Sequence, residues 1–529
     1  KAESNEEEKN SGVAILETGA AGVLTSIRSA TNAGTDITIE EANNMTTSTV
    51  ASLGGEDDPL GSPTDPAPIT DVNDQNHDSA LIEAIHEGNP DRVQRLLDAK
   101  ANVDTISNNN NTAVILAATY GQTACLQLLL DTKANINAAN QSGDTALIMA
   151  AFQDHPACLQ LLLDHKADIN ARNEQSCSAL ILAAYQGNEA CSQLLLDAKA
   201  NVEITSEEGC TALILAAENS RVACVQRLLD ANADPSVANK SGYTATVLAA
   251  SRGHDACLKL LLEAEADVDA TTENGDTATI LAAYRGHSAC LELLLDAGAD
   301  PEVANNEGST ALILAANSGH AACLQLLLEA NADINAKSRK GNTPAILAAS
   351  LGHAGCLKLL LDAKADIGIT NNGDTASILA AYQGNGECLK MLIAAKADLE
   401  IANRDGSTAL ILAAHKGHSP CLQMLLDAKA DIDATNKEGD TATIMAARGS
   451  HTACLKLLLD AKADAAAANN EGCTALLLTA SIGNAECLQL LLNAKRGNDA
   501  RSQKSSLATI VAASNGHTMC LQLLLEAKA

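Results

Sequence analysis

Apolar and polar positions follow one another in an order that returns every 33 residues. The stretch from Asp276 to Asp300 reads DTATILAAYRGHSACLELLLDAGAD, and the near copy STALILAANSGHAACLQLLLEANAD begins 33 residues later. Each copy holds a short apolar run, a break at Gly-His, and a second apolar run with the spacing of a helix face. This order predicts two helices and a connecting loop in each repeat.

The repeats can be counted from the Thr or Ser that stands before each first helix, here called the anchor. Fourteen anchors follow at 33-residue steps, with one step of 32 residues into Thr375. They are Ser79, Thr112, Thr145, Ser178, Thr211, Thr244, Thr277, Thr310, Thr343, Thr375, Thr408, Thr441, Thr474 and, in the same register, Leu507. Because one helix pair cannot bury its apolar side alone, neighbouring repeats must stack to form the core. Positions are numbered below from the anchor, so that +7 is the seventh residue after it.

Composition narrows the classes of partner. The chain has 529 residues and is 46% hydrophobic, but it contains no Trp, one Phe and five Tyr, so the core must consist of small side chains. A formal charge of -31 repels nucleic acid and favours basic protein segments, although acidity also serves solubility alone. No apolar run reaches the roughly 18 residues that span a bilayer, so we expect a soluble chain without a membrane partner.

Two motifs identify the repeat. Gly275 to His287 reads Gly-x-Thr-x-x-x-x-Ala-Ala-x-x-Gly-His, and Leu293 to Asp300 reads LLLDAGAD. With the 33-residue period, these motifs resemble the ankyrin repeat family, and the resemblance covers residues 77–529. It implies an all-α solenoid of stacked antiparallel helix pairs, with hairpin-like loops that project toward one side of a curved array.

The chain departs from the family pattern at two positions. The Thr-Pro-Leu-His opening survives as Thr-Pro only at Thr343-Pro344, and its His is replaced by Ile in most repeats, as at Ile148 and Ile313. We therefore expect apolar burial there. The Gly that ends the second helix survives only at Gly298, and ten repeats carry Lys, as at Lys166. A left-handed non-Gly residue costs about 1 kcal/mol, so these helix ends are either capped differently or individually weaker.

Both ends of the chain differ from the repeats. Residues 1–76 are acidic, and Gly54 to Asp71 places four prolines among acids and glycines, which predicts an extended or disordered linker. Residues 11–40 can be laid on the repeat pattern as a decayed repeat, or they belong to a disordered tail with one short helix. At the other end, Leu523 to Leu525 are as apolar as an internal repeat, so we expect an array that is truncated or covered by another chain.

Cysteine and histidine form regular ladders. Thirteen of the 16 Cys share one position, and eight repeats place a His three residues earlier, as in His254 and Cys257. A zinc ion needs four ligands at about 2 Å, whereas stacked helices lie about 10 Å apart, so we expect buried apolar Cys and neither metal nor disulfides. Unpaired thiols favour the cytoplasm, with the nucleus as the alternative. Cys177, Cys210 and Cys473 precede anchors, and we expect them to be exposed; redox sensing is an alternative to a tolerated small residue.

No nucleophile, base and acid recur at a spacing that would bring them together, and no phosphate-binding Gly-rich motif occurs. We therefore expect no catalysis, no cofactor and no small-molecule substrate.

All six aromatic residues fall at positions that the repeat leaves free. Tyr120 is at +8, Phe152, Tyr185, Tyr284 and Tyr382 are at +7, and Tyr243 is at -1. The family resemblance implies that these positions, with the loop tips at -3 and -4, face a partner. Aromatic rings could instead be excluded from a small-residue core, but the equally free outer positions of the second helices carry none. Binding hot spots prefer large rigid rings.

The aromatic positions predict two binding patches among acidic loop tips. The first comprises Tyr120, Phe152 and Tyr185; the second comprises Tyr243, Arg252, Tyr284 and Arg285, with Tyr382 further along. The acidic residues assigned to the tips are Asp144, Glu174, Glu207, Glu208, Glu273 and Asp276.

These observations favour a non-enzymatic scaffold or adaptor. Its concave groove would bind a protein segment with basic residues beside an apolar anchor. Two alternatives stay open: the recognition arm of a larger enzyme or channel, truncated here, or a structural spacer without a dedicated partner.

Overall fold

Helix pairs repeat through the computed structural model, which describes residues 74–108, 110–495 and 503–527. The predicted linker at 54–71 and the decayed repeat at 11–40 lie outside these residues. The helices are α1 Asp74–His86, α2 Pro90–Asp98, α3 Ala113–Thr119, α4 Thr123–Asp131, α5 Ala146–Phe152, α6 Pro156–Asp164, α7 Ala179–Gln186, α8 Glu189–Asp197, α9 Ala212–Glu218, α10 Val222–Asp230, α11 Ala245–Arg252, α12 Asp255–Glu263, α13 Ala278–Arg285, α14 Ser288–Asp296, α15 Ala311–Ser318, α16 Ala321–Glu329, α17 Pro344–Leu351, α18 Ala354–Asp362, α19 Ala376–Gln383, α20 Gly386–Ala394, α21 Ala409–Lys416, α22 Ser419–Asp427, α23 Ala442–Arg448, α24 Thr452–Asp460, α25 Ala475–Ile482, α26 Ala485–Lys495, α27 Gln503–Ser514 and α28 Thr518–Glu526. None of these helices combines the length and apolarity needed to cross a membrane.

The anchor starts the first helix because its hydroxyl satisfies a free backbone donor. In α5, Oγ1 of Thr145 accepts a hydrogen bond of 3.4 Å from the N–H of Ile148. Ile148 itself is fully buried, and Ile181 and Ile313 are each 1% exposed. The predicted exchange of a polar His for apolar burial is therefore confirmed. A helix of seven residues is marginal alone, so its stability must come from packing against neighbours.

The second helices end in a left-handed residue that is usually Lys. Lys166 has φ +63°, and its N–H donates to the carbonyl of Leu163 at 2.9 Å. The next residue, Ala167, donates to the carbonyl of Leu162 at 3.0 Å. Lys thus takes the conformation that Gly usually fills, and the cap itself is unchanged.

The chain divides into two compact units. The N-terminal unit comprises the residues up to 249 together with residues 254–273, and the C-terminal unit comprises residues 250–253 together with those from 274 onward. Within each unit, first helices pack on first helices of the next repeat, and second helices pack on second helices. This arrangement confirms the predicted all-α solenoid.

The single 32-residue step shortens a loop tip. In an ordinary loop, the N–H of Asn436 donates to the carbonyl of Asp440, four residues later. In the short loop, the N–H of Asn371 donates to the carbonyl of Asp374, three residues later. Because the missing residue lies at the tip, the helices on both sides keep their register.

The last helix pair exposes apolar side chains. Leu507, Ile510, Met519 and Leu525 are 48%, 64%, 62% and 55% exposed. Leu524, in contrast, is 1% exposed and packs inward. Within the run from Leu523 to Leu525, which was predicted to form an open apolar face, only Leu525 is exposed.

Candidate functional site

The side chains at +7 and +8, which we call the inner row, lie on the same side of the repeat as the loop stem. In the repeat anchored at Thr441, Nη1 of Arg448 at +7 lies 2.7 Å from Oδ2 of Asp440 at -1. In the repeat anchored at Thr211, burial and the nearby carboxylate of Glu218 at +7 both raise the pKa of Cys210 at -1. The inner row and the loops therefore border a common surface.

Three predicted aromatic residues occupy the inner row of consecutive repeats in the N-terminal unit. Tyr120 is 40% exposed, and Phe152 and Tyr185 are half-buried. The carbonyl of Phe152 accepts a hydrogen bond of 3.0 Å from Nδ2 of Asn188. The carbonyl of Tyr185 accepts one of 3.2 Å from Nε of Arg221. In both cases the residue at +10 of the next repeat fixes the backbone that carries the ring.

A histidine that sequence reasoning passed over extends this patch by one repeat. The ring of His86 lies 5.1 Å from that of Tyr120, centroid to centroid, with the two planes tilted by 56°. Partial burial raises the pKa of Tyr120. His86 is at +7 from Ser79, the position of Phe152 and Tyr185 in their repeats, so its register in the sequence could have indicated that it belongs to the patch.

In the C-terminal unit, two aromatic residues of the inner row lie beside cations. Cζ of Arg285 is 5.8 Å from the centroid of the Tyr284 ring. Nζ of Lys416 is 4.6 Å from the centroid of the Tyr382 ring. Both distances are within the range of cation–π attraction. Lys416, at +8 of the following repeat, was absent from the predicted site.

Two aliphatic residues of the same row were also missed. Leu351 and Ile482 are both at +8, the position of Tyr120, and are 41% and 45% exposed. Neither residue is aromatic, so their register was the only sequence signal that could have indicated them.

The predicted second patch is divided between the two units. Tyr243 belongs to the N-terminal unit, is half-buried, and its N–H donates to Oδ1 of Asn239 at 2.9 Å. Arg252 is exposed and belongs to the C-terminal unit, as do Tyr284 and Arg285.

Glutamates line the loop tips of the N-terminal unit. Glu174, Glu207 and Glu273 are exposed, and Glu208 is half-buried. Hydrogen bonds between backbones join successive tips. The N–H of Glu174 donates to the carbonyl of Ser142 at 2.9 Å, and the N–H of Glu207 donates to the carbonyl of Gln175 at 2.8 Å. Lys240 is exposed in the same line of tips. The carboxylates are thus held in a regular line that has one cation among them.

Asp144 and Asp276 do not belong to this exposed line, and their assignment to it was wrong. They are 6% and 4% exposed at position -1. Nδ2 of Asn173 donates to Oδ1 of Asp144 at 2.9 Å, and Nδ2 of Asn305 donates to Oδ1 of Asp276 at 2.8 Å. Burial raises the pKa of both carboxyl groups. The following loop covers position -1, which the pattern of a single repeat does not reveal.

The expectation that Cys177 and Cys210 are exposed was wrong for the same reason. Both are at -1 and are 1% and 0% exposed. Burial is the main cause that raises the pKa of Cys177 to about 12 and that of Cys210 to about 11. These thiols stay protonated at neutral pH and are poor nucleophiles. Cys473 is half-buried.

A family model made of three consecutive ankyrin repeats matches the chain in eleven overlapping stretches that run from residue 62 to residue 529. The chain belongs to the ankyrin repeat family. Ankyrin repeats are generally modules of protein–protein interaction. A search of curated proteins found no match to the chain.

Within this ankyrin array, the Gly-His pair joins successive repeats. Nε2 of His155 donates to the carbonyl of Thr119 at 3.0 Å, and its ring lies against Gly121 of the preceding repeat. Equivalent bonds to a carbonyl 36 residues earlier are made by His254, His353, His418, His451 and His517. The described part of the chain contains no cluster of three His, Cys, Asp or Glu side chains that could hold a metal ion. The His ladder in this ankyrin array is thus a set of contacts between repeats.

Proposed function

We propose that this ankyrin array is a non-enzymatic adaptor whose N-terminal unit binds a segment of another protein. The segment carries an apolar side chain beside basic residues. One observation supports this most directly: Tyr120, Phe152 and Tyr185 are accessible on three consecutive repeats, on the side of the repeat that carries the acidic loop tips.

The three rings suit an apolar anchor. Tyr and Phe bury a large area and lose little side-chain entropy on binding, which is why they are frequent in hot spots. The backbones of Phe152 and Tyr185 are already fixed by Asn188 and Arg221 of the following repeats. The surface is therefore preorganised, and little ordering is required when a segment binds.

The loop tips favour a basic partner. Glu174, Glu207, Glu208 and Glu273 outnumber Lys240, and the inner row of this unit carries no Arg or Lys. Exposed charges of one sign mainly accelerate association and select partners, and they do so less at high salt. We expect the apolar anchor to supply affinity and the carboxylates to supply selectivity.

The test compares the intact chain with a variant that carries Tyr120→Ala, Phe152→Ala and Tyr185→Ala. Each is used for affinity capture from the source cell, at low salt and at about 0.5 M salt, where charges are strongly screened. Mass spectrometry should identify proteins with basic segments that the variant fails to capture and that high salt weakens. Circular dichroism should show that the variant keeps its helices.

A control variant removes other exposed apolar side chains of the same unit. Ile106→Ala with Val222→Ala changes residues that are 59% and 38% exposed and lie outside the inner row. This control should capture the same proteins as the intact chain. Identical protein sets from the triple variant and the intact chain would contradict the proposal and favour a structural spacer.

A further inference from the structure

The inner row of the C-terminal unit has the opposite charge to the protein as a whole. From the repeat anchored at Thr244 to that at Leu507, positions +7 and +8 carry Arg or Lys four times and Asp or Glu never. The four cations are Arg252, Arg285, Lys416 and Arg448. The corresponding positions of the N-terminal unit carry Glu87 and Glu218 and no Arg or Lys.

We infer that the inner row of the C-terminal unit binds an acidic, extended segment of a partner protein. The inference is independent of the proposed function, which concerns the other unit and a partner segment of opposite charge. It follows from charge complementarity and from the apolar side chains that lie among the cations of the row.

The cations of the row differ in what already engages them. Arg285 and Lys416 lie near aromatic rings, which attract a cation without neutralising it and leave its N–H groups able to donate to a carboxylate. Arg448 is paired with the buried carboxylate of Asp440 at 2.7 Å. Arg285 and Lys416 are therefore the residues we assign to binding.

The neighbouring loop tips do not cancel this charge. In the repeats anchored at Thr310 to Thr474, positions -3 and -4 hold four bases and four acids. The bases are Arg339, Lys340, Arg404 and Lys437, and the acids are Glu307, Asp405, Glu438 and Glu471. The tips of these repeats therefore carry no net charge as a set, so they do not cancel the charge of the row.

The spacing of the row sets a register for the ligand. Stacked helices lie about 10 Å apart, and an extended chain advances about 3.3 Å per residue, so each repeat matches about three ligand residues. The exposed Leu351 lies two repeats after Arg285, and Lys416 lies two repeats after Leu351. The matching segment has an acid at its first residue, an apolar side chain near the seventh, and an acid near the thirteenth.

A synthetic peptide tests this register. The probe is a fluorescein-labelled 13-residue Gly/Ser peptide with Glu at positions 1 and 13 and Leu at position 7. Its binding to the full chain is measured by fluorescence anisotropy at low salt. We expect saturable binding that weakens about 3- to 10-fold when the protein carries Arg285→Gln and Lys416→Gln, since an exposed ion pair contributes only modestly.

Three controls separate the site from general electrostatics. Lys358→Gln with Lys456→Gln removes two exposed cations from second helices of the same unit and should leave the peptide affinity unchanged. The Ala variant at Tyr120, Phe152 and Tyr185 should also bind the peptide normally, because it alters the other unit. A peptide of the same composition with its Glu residues adjacent should bind more weakly.

Several results would overturn the inference. These are absence of binding, equal binding of a peptide with Lys in place of Glu, or equal loss in the Lys358 and Lys456 control. Preferential binding of a single-stranded oligonucleotide would also overturn it, by showing a site for phosphate backbones instead of carboxylates.

Discussion

The two units share the contacts that stack their repeats but differ in the residues of their inner rows. In the N-terminal unit, His155 packs on Gly121, and in the C-terminal unit, His418 packs on Gly384 in the same way. Beside this common frame, one row presents aromatic rings near acidic loop tips, and the other presents cations, two Tyr rings and aliphatic side chains. The Gly-His contact thus recurs in both units, and the units differ at a few positions that the repeat leaves free.

The largest expected effect is a loss of stability at the Gly-His contact, and it tests whether this contact is equally important in the two units. Gly121→Ala and Gly384→Ala each place a Cβ 2.7 Å from Nδ1 of the His in the next repeat, at φ +67° and +81°. Strain and displacement of the ring should cost about 3 kcal/mol at each site. Amide hydrogen exchange in the affected repeats measures the cost, because repeats can open locally.

A third glycine separates the cost of backbone strain from the cost of a collision between the new Cβ and the histidine ring. Gly516 has φ +74°, and a Cβ there would meet nothing within 4 Å. Gly516→Ala should cost only about 1 kcal/mol. If Gly121→Ala and Gly384→Ala differed, with a large loss of local stability in one unit and none in the other, the Gly-His contact would not have the same role in both units.

A smaller effect should separate the cations of the C-terminal row. Arg448→Met removes the partner of Asp440, whose side chain is fully buried and keeps one hydrogen bond of 2.8 Å from Asn469. We expect a cost of about 2 kcal/mol, since a buried carboxylate loses its cation. Arg285→Met should change stability by less than about 0.5 kcal/mol. Equal stability of both variants in urea unfolding would show that Arg448 is as free to bind ligands as Arg285.

The smallest effect concerns the same loop position in the N-terminal unit. Asp144 is buried like Asp440, and burial raises its pKa. A carboxyl group whose pKa is higher in the folded state destabilises the fold at neutral pH, and this penalty disappears as pH falls through the folded pKa. Asp144→Asn should therefore stabilise by up to about 1 kcal/mol at pH 7 and by less at acidic pH.

Asn is expected to fit at this position because Asn111 occupies it in the preceding repeat and accepts a bond of 2.9 Å from Asn140. Glu207→Gln makes the same change of charge at an exposed tip and should show no such gain. Unfolding curves at several pH values measure both variants. A gain for Asp144→Asn that grows toward acidic pH would contradict the assignment.

The period of the sequence was sufficient to predict the helix pairs, their stacking and the buried Ile and Cys. The errors fall where one repeat covers another. Asp144 and Cys177 look like loop residues within their own repeats, but the following loop buries them. The inner row was only partly predicted because aromatic residues occupy only some of its positions, whereas Leu351 and Ile482 are exposed at the same register.

The Gly-His contact also bears on how such an array can change length. Because the glycine belongs to one repeat and the histidine to the next, a repeat that carries both, and that lies between repeats that also carry both, can be copied or excised. Its former neighbours will still meet as glycine and histidine. Recombination within the gene would then lengthen or shorten the protein without creating a mismatched junction. Segments bounded by Arg221, which lies against Gly187, lack this freedom and would be expected to stay in place.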